Sequence, residues 1–169
     1  MELRITTLIG MIAFAAMTRL LPHPPNFTAV TALALFAGVQ IPDRRLALVA
    51  PLAALFATDL VLGVHSGMLL VYLCVALVVG LGAMVGPRLR PQLAGASVAA
   101  SVLFFVVTNL GVWMMDGLYP LTLAGLGACF VAAIPFFQNG LAGDLLFTAA
   151  LFGGYELLAR LSPALSPAR

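Results

Sequence analysis

Residues 68–86 read MLLVYLCVALVVGLGAMVG. The run holds neither a charge nor an amide side chain, and at ~1.5 Å per residue its helix comes close to the ~30 Å hydrocarbon thickness of a bilayer. Apolar runs of the same kind lie on both sides. One is ITTLIGMIAFAAMTRLL, 5–21; others cover about 46–63, 93–113 and 139–160. HPPNFT (23–28), IPDRR (41–45) and PRLRP (87–91) break the pattern as polar turns. The run at 29–41 is too short to cross unaided, since a span needs ~17–25 residues. Its flanks must extend it, or it must sit in a thinned or protein-lined region.

Composition agrees. Of 169 residues 63% are hydrophobic and 8% charged, and the mean hydropathy is +1.13. A soluble domain carries about 25% charged residues. That class is excluded, as are disorder, a coiled coil and a nucleic-acid binder. The sequence is that of an all-α, multi-pass membrane protein whose lipid-facing surface meets the bilayer directly. It reads as a single transmembrane domain, 1–161, with a frayed Ser/Pro/Ala tail, 162–169. Ala13-Phe14-Ala15 has the form of a signal-peptidase site, but the segment is read as a retained first helix.

Arginine placement sets the expected topology, because cytoplasmic loops collect basic residues. All eight basic residues are Arg. With six spans and the N-terminus inside, Arg4, Arg44, Arg45, Arg88, Arg90, Arg160 and Arg169 lie inside and Arg19 alone lies outside. A seventh crossing at 121–137 would carry Arg160 and Arg169 outside. The expectation is therefore a six-helix bundle, N-in and C-in. In it 121–137 is a helical, re-entrant or surface-lying part of the outer connection, interrupted at Pro135 and Gln138-Asn139-Gly140.

In this topology the polar residues gather at the outer end. Arg19 and His23 close the first helix, and Asn26 follows in the first outer loop. Asp59 is one turn from the outer end of the third helix, with His65 in the next loop. Tyr72 and Cys74 lie just inside the fourth helix. Asn109 and Trp113 end the fifth, Tyr119 is in the connection, and Asp144 is about one turn into the last helix. A carboxylate in lipid costs ~2.5–3.5 kcal/mol on insertion scales, so Asp59 and Asp144 are expected to face a cavity or a partner. One outward-open polar cavity accounts for both. A structural pair of Arg19 with Asp59 or Asp144 accounts for the same residues without a ligand. Small residues at Gly82xxxGly86, Ala96xxxAla100, Ser97xxxSer101 and Ala128xxxAla132 suit close helix packing.

Enzyme motifs are absent: no GxSxG, no HExxH and no phosphate-binding loop. Two cysteines, in neither CxxC nor Cys/His spacing, make no disulfide framework or zinc site. Cys74 is either a small buried hydrophobe or, as a thiolate, a soft ligand for a transition metal. Cys129, within AGLGACFVAA, reads as inert.

Three stretches carry a family resemblance. ALALFAG at 32–38 is followed by APLAALFATDLVLG at 50–63, and IPFFQNGLAGDLLFTAALFGG at 134–154 opens the last helix. In order and spacing these resemble the substrate-binding S components of energy-coupling-factor (ECF) vitamin transporters, which are small six-helix membrane proteins. The resemblance covers most of the chain and implies vitamin uptake through the bacterial inner membrane, with no intrinsic cofactor. S components that dock on the coupling module often carry Ala-xxx-Ala on their first helix. Here that register holds Ala13 and Met17, so the motif is broken. The chain is in this respect similar to the solitary S-component-like group of Gram-negative bacteria that carries vitamin B12 and ligates its cobalt through a membrane cysteine. HPPNFT is also similar to an uncharacterised bacterial membrane family.

The resemblance implies cobalamin as substrate, Cys74 as cobalt ligand, and thiolate removal of a cobalt-bound cyanide as its chemistry. Loops 22–28, 64–67 and 114–137 would form the lid. Tyr72, Trp113 and Tyr119 would supply apolar wall, and Asn26, Asp59, His65, Asn109 and Asp144 polar contacts. Two alternatives stay open. One is a transporter of the same fold for a metal-free vitamin or base. The other is a scaffold whose outer polar groups only join helices.

Overall fold

A computed structural model describes residues 2–64, 67–86 and 92–165. Among them the chain is all-helical: α1 Glu2–Met17, α2 Val30–Gln40, α3 Arg44–Leu62, α4 Met68–Val85, α5 Leu93–Met115 and α6 Leu123–Leu161. A 3-10 turn, Thr18–Leu20, prolongs α1, and another follows α6 at Pro163–Leu165. Five helices are long and apolar enough to cross a membrane: Glu2–Leu20, α3, α4, α5 and α6. Large side chains such as Phe14, Val61, Leu69 and Met84 are exposed around them, as suits a surface solvated by lipid. This is a multi-pass membrane protein.

The short helix α2 is the core. It has 11 residues, and all but Gln40 are buried. A helix apolar on every side belongs in an interior. The other helices surround α2 and cover it. Close approach to α4 is built from two glycines. A Cβ on Gly82 would lie 2.6 Å from the Leu35 carbonyl oxygen, and one on Gly38 would collide with that of Val79. Gly82 thus packs against α2. The irregular chain before α2 is held by Phe27 N–H to Pro24 O, 3.0 Å, and by a left-handed Asn26 with φ 62°. Non-helical backbone at membrane depth is tolerated where protein buries it or where it lines a cavity.

Three helix ends meet at the Arg4 end of the bundle. Arg4 donates to Tyr155 Oη and to the Gln40 carbonyl, both at 2.9 Å, and Tyr155 donates to the Leu165 carbonyl at 2.7 Å. Leu165 is buried. The expected fraying of the tail therefore does not hold for 162–165, whose backbone is tied to α6 and α1. Asp43 caps α3 by accepting from Arg45 N–H and Leu46 N–H at 2.8 and 3.0 Å.

The expected interruption at Pro135 and 138–140 is corrected. Residues 123–137 are helical, but they run without a break into the last helix as 39-residue α6. At ~1.5 Å per residue its length of about 58 Å exceeds a bilayer's hydrocarbon, so it must tilt, bend or run beyond it. Pro135 removes one backbone N–H, which a membrane helix can accommodate locally. The glycines serve a neighbour instead of a break. A Cβ on Gly143 would lie 3.3 Å from Phe27 Cα and from Thr28 N, and Gly140 faces the Asn26 backbone.

Candidate functional site

A hollow of about 390 Å³ opens between the α1–α2 connection, α4, α5 and α6. It lies toward the Arg19 end. Its floor is polar. Asp144, on α6 and 5% exposed, accepts from Ser101 Oγ of α5 at 2.6 Å, and the Thr31 hydroxyl of α2 bonds to it as well. Ser101 Oγ also lies 2.9 Å from the Ser97 carbonyl, and Ser97 Oγ meets Thr148 Oγ1 at 3.2 Å. The expected small-residue seam of α5 is therefore a hydroxyl ladder against α6.

The upper walls are aromatic and amide. Phe104 and Phe105 of α5 and Phe136 and Phe137 of α6 line them, together with Thr108, Asn109, Asn26 and Thr28. Phe105 and Phe137 are in tilted contact, centroids 4.7 Å apart, and Phe105 also stacks edge-on with Phe130 at 5.3 Å. Asn109, which lines the hollow, donates from Nδ2 to the Phe105 carbonyl of its own helix at 2.7 Å.

Arg19 closes one side. Its Nη1 is 2.7 Å from Asp59 Oδ1 and 2.6 Å from Thr58 Oγ1. Tyr72 Oη donates to Asp59 Oδ2 at 2.8 Å. This pair joins the end of α1 to α3 and α4, and it answers one of the two expectations for Arg19.

The expected site residues divide accordingly. Asn26, Asn109 and Asp144 line the hollow. Asp59 and Tyr72 stand behind Arg19 in the ion-pair network and do not line it. Trp113 Nε1 donates to the Pro120 carbonyl at 2.9 Å and closes the α5–α6 hairpin. Tyr119 is half-buried in that connection, outside the hollow's lining. His65 lies outside the described residues. Cys74 is fully buried on α4, among the helix's buried residues Val75, Val78, Val79 and Gly82. Its thiol does not line the hollow. Cys129 Sγ lies 3.5 Å from the Asn109 carbonyl. No group of three His, Cys, Asp or Glu side chains suited to a metal occurs among the described residues.

Sequence reasoning missed Thr31, Ser101, Thr108 and the four phenylalanines. The signal was present as two Phe-Phe doublets, 104–105 and 136–137, on helices that a short connection makes antiparallel neighbours.

The chain matches the family model DUF6580, a family of unknown function, over residues 1–165. It belongs to the DUF6580 family. No curated protein and no solved structure matches it. The DUF6580 match takes in all six helices and thus the whole hollow.

Proposed function

We propose that this DUF6580 chain is a substrate-binding membrane transporter for uptake of a small, ring-bearing, metal-free molecule such as a vitamin or a modified base. The observation that carries this is the hollow of about 390 Å³ with an acidic, hydroxyl-lined floor and phenylalanine walls. Its volume lies toward the low end of the ~300–1,000 Å³ of small-molecule sites. A bundle serving only as a scaffold gains nothing from such a space. The arginine distribution supports an N-in, C-in orientation in a bacterial inner membrane, with the Arg19 end outward.

Cobalamin suits the site less well. Cys74 is fully buried and does not line the hollow, so it would have to move to reach a cobalt there, and a corrinoid is far larger than a one- or two-ring molecule. The S-component resemblance still supports the transporter class. The chain holds no ATP-hydrolysing motif, so uphill uptake draws on a partner such as an ECF-type module or on trapping inside the cell. The face of α1 with Ala13, Phe14 and Met17 is exposed and available to such a module.

Mass spectrometry of small molecules released from the detergent-purified protein tests the proposal. A copurified metal-free ring compound that is taken up by cells expressing the chain is the expected result. A bound corrinoid would restore the cobalamin reading. Absence of any ligand, together with no uptake phenotype, would overturn the transporter reading.

A further inference from the structure

Asp144 is 5% exposed and lines the hollow. A buried carboxyl at membrane depth either takes a proton or has its charge met by a partner. The groups that hold it, Ser101 and Thr31, are neutral hydroxyls. They aim the carboxylate without compensating it. Among the described residues lining the hollow Arg19 is the cation, and Asp59 already takes its charge at 2.7 Å. Tyr72, the other titratable group of that network, is committed to Asp59 as well. When Asp144 is ionised, its charge faces the hollow with no cation of its own among the described residues.

Above it stand rings. Phe137 precedes Asp144 by two helical turns on the same face of α6, about 10 Å along the axis at ~1.5 Å per residue. Phe104 stands one turn beyond Ser101 on the facing α5. Ring faces attract cations, and more strongly where water is excluded. A neutral ring compound gains stacking and a hydrogen bond there, but neither the charge pairing nor the cation–π attraction that a cation adds.

We propose that the substrate is an organic cation, a one- or two-ring molecule whose positively charged nitrogen sits between Asp144 and the phenylalanine walls. This rests on the transporter reading and names the substrate class for the same site.

The test uses full-length protein in lipid nanodiscs and a matched pair of probes. 1-Methylnicotinamide is a cation; N-methylnicotinamide, methylated on the amide, is neutral and of nearly the same size. Calorimetric titration should show the cation binding tighter by about tenfold or more, the range of one charge-assisted contact. Asp144→Asn should erase that preference, bringing the cation's affinity down to within about twofold of the neutral probe's on the same variant. Ser101→Ala, which keeps the carboxyl but loosens its aim, should narrow the gap between the two probes. Equal binding of the two probes by wild type, a cation preference that survives Asp144→Asn, or failure of the cation to bind would each overturn the inference. A neutral or anionic ligand copurified from cells would overturn it too, while leaving the transporter reading in place.

Discussion

Arg19 Nη1 and Asp59 Oδ1 are 2.7 Å apart, with side chains 13% and 2% exposed. They tie the end of α1 to α3 beside the hollow, and Thr58 and Tyr72 complete the network. Removing one member of such a pair strands the other charge, at a cost of about 3–5 kcal/mol. Asp59→Ala should therefore lower stability by that amount in denaturant unfolding of the detergent-solubilised protein. Replacing both, Arg19→Met with Asp59→Leu, should recover most of the loss. Additive losses in the double variant would show that the two charges do not depend on each other.

The α2–α4 contact depends on backbone approach at Gly38 and Gly82. Gly82→Ala would push a methyl against the Leu35 carbonyl and should destabilise by about 1–3 kcal/mol. Gly80, two residues away on α4, has open space around it. Gly80→Ala should be neutral or slightly stabilising, because alanine favours the helix. Thermal unfolding of the two variants side by side checks the contrast.

Cys74 separates the two substrate readings. Buried and outside the hollow's lining, it is expected to affect stability and not ligand affinity. Cys74→Ala should cost on the order of 1 kcal/mol for lost packing and leave affinity for the copurified ligand within about twofold. Loss of affinity by an order of magnitude, or loss of a cobalt–sulfur absorbance band, would place the thiol in the site.

Asp43 lies outside the membrane-spanning segments. The N–H groups of Leu46 and Arg45 hold its carboxyl below the ordinary value of 3.8. With its folded pKa depressed, its contribution is fully present above the unfolded pKa of ~3.9 and is lost as pH falls through the folded value. Asp43→Ala should lower the unfolding temperature at neutral pH, and the difference from wild type should shrink toward zero below about pH 4. A difference unchanged at pH 3 would assign the effect to something other than the charged cap.

The apolar runs made the spans legible, because lipid demands continuous hydrophobicity. The shortness of 29–41 showed that it does not cross unaided and left a protein-lined place as one of the open readings, which only packing selects by revealing α2 as the centre of the bundle. Pro135 and Gly140 misled the reading of α6. Taken one helix at a time they look like breakers, yet Gly140 and Gly143 make room for the Asn26–Thr28 backbone, a contact remote in sequence. Asn26, Asn109 and Asp144 could be assigned to the hollow because polar groups at that depth need one. Depth alone did not separate them from Asp59, Tyr72 and Cys74. That distinction depends on rotational phase against neighbours, which one sequence leaves open. Phe104, Phe105, Phe136 and Phe137 escaped notice because phenylalanine is equally at home facing lipid.

The account stands on a water-accessible hollow that opens at the Arg19 end. Thr108→Cys, made in a background with Cys74→Ala and Cys129→Ala, places one thiol on its wall. Treating intact spheroplasts with a membrane-impermeant thiol reagent measures access from outside directly. The account predicts labelling from the outer face and protection by the copurified ligand. A thiol that stays unlabelled until the protein is denatured, or that reacts only from the cytoplasmic face, would contradict it.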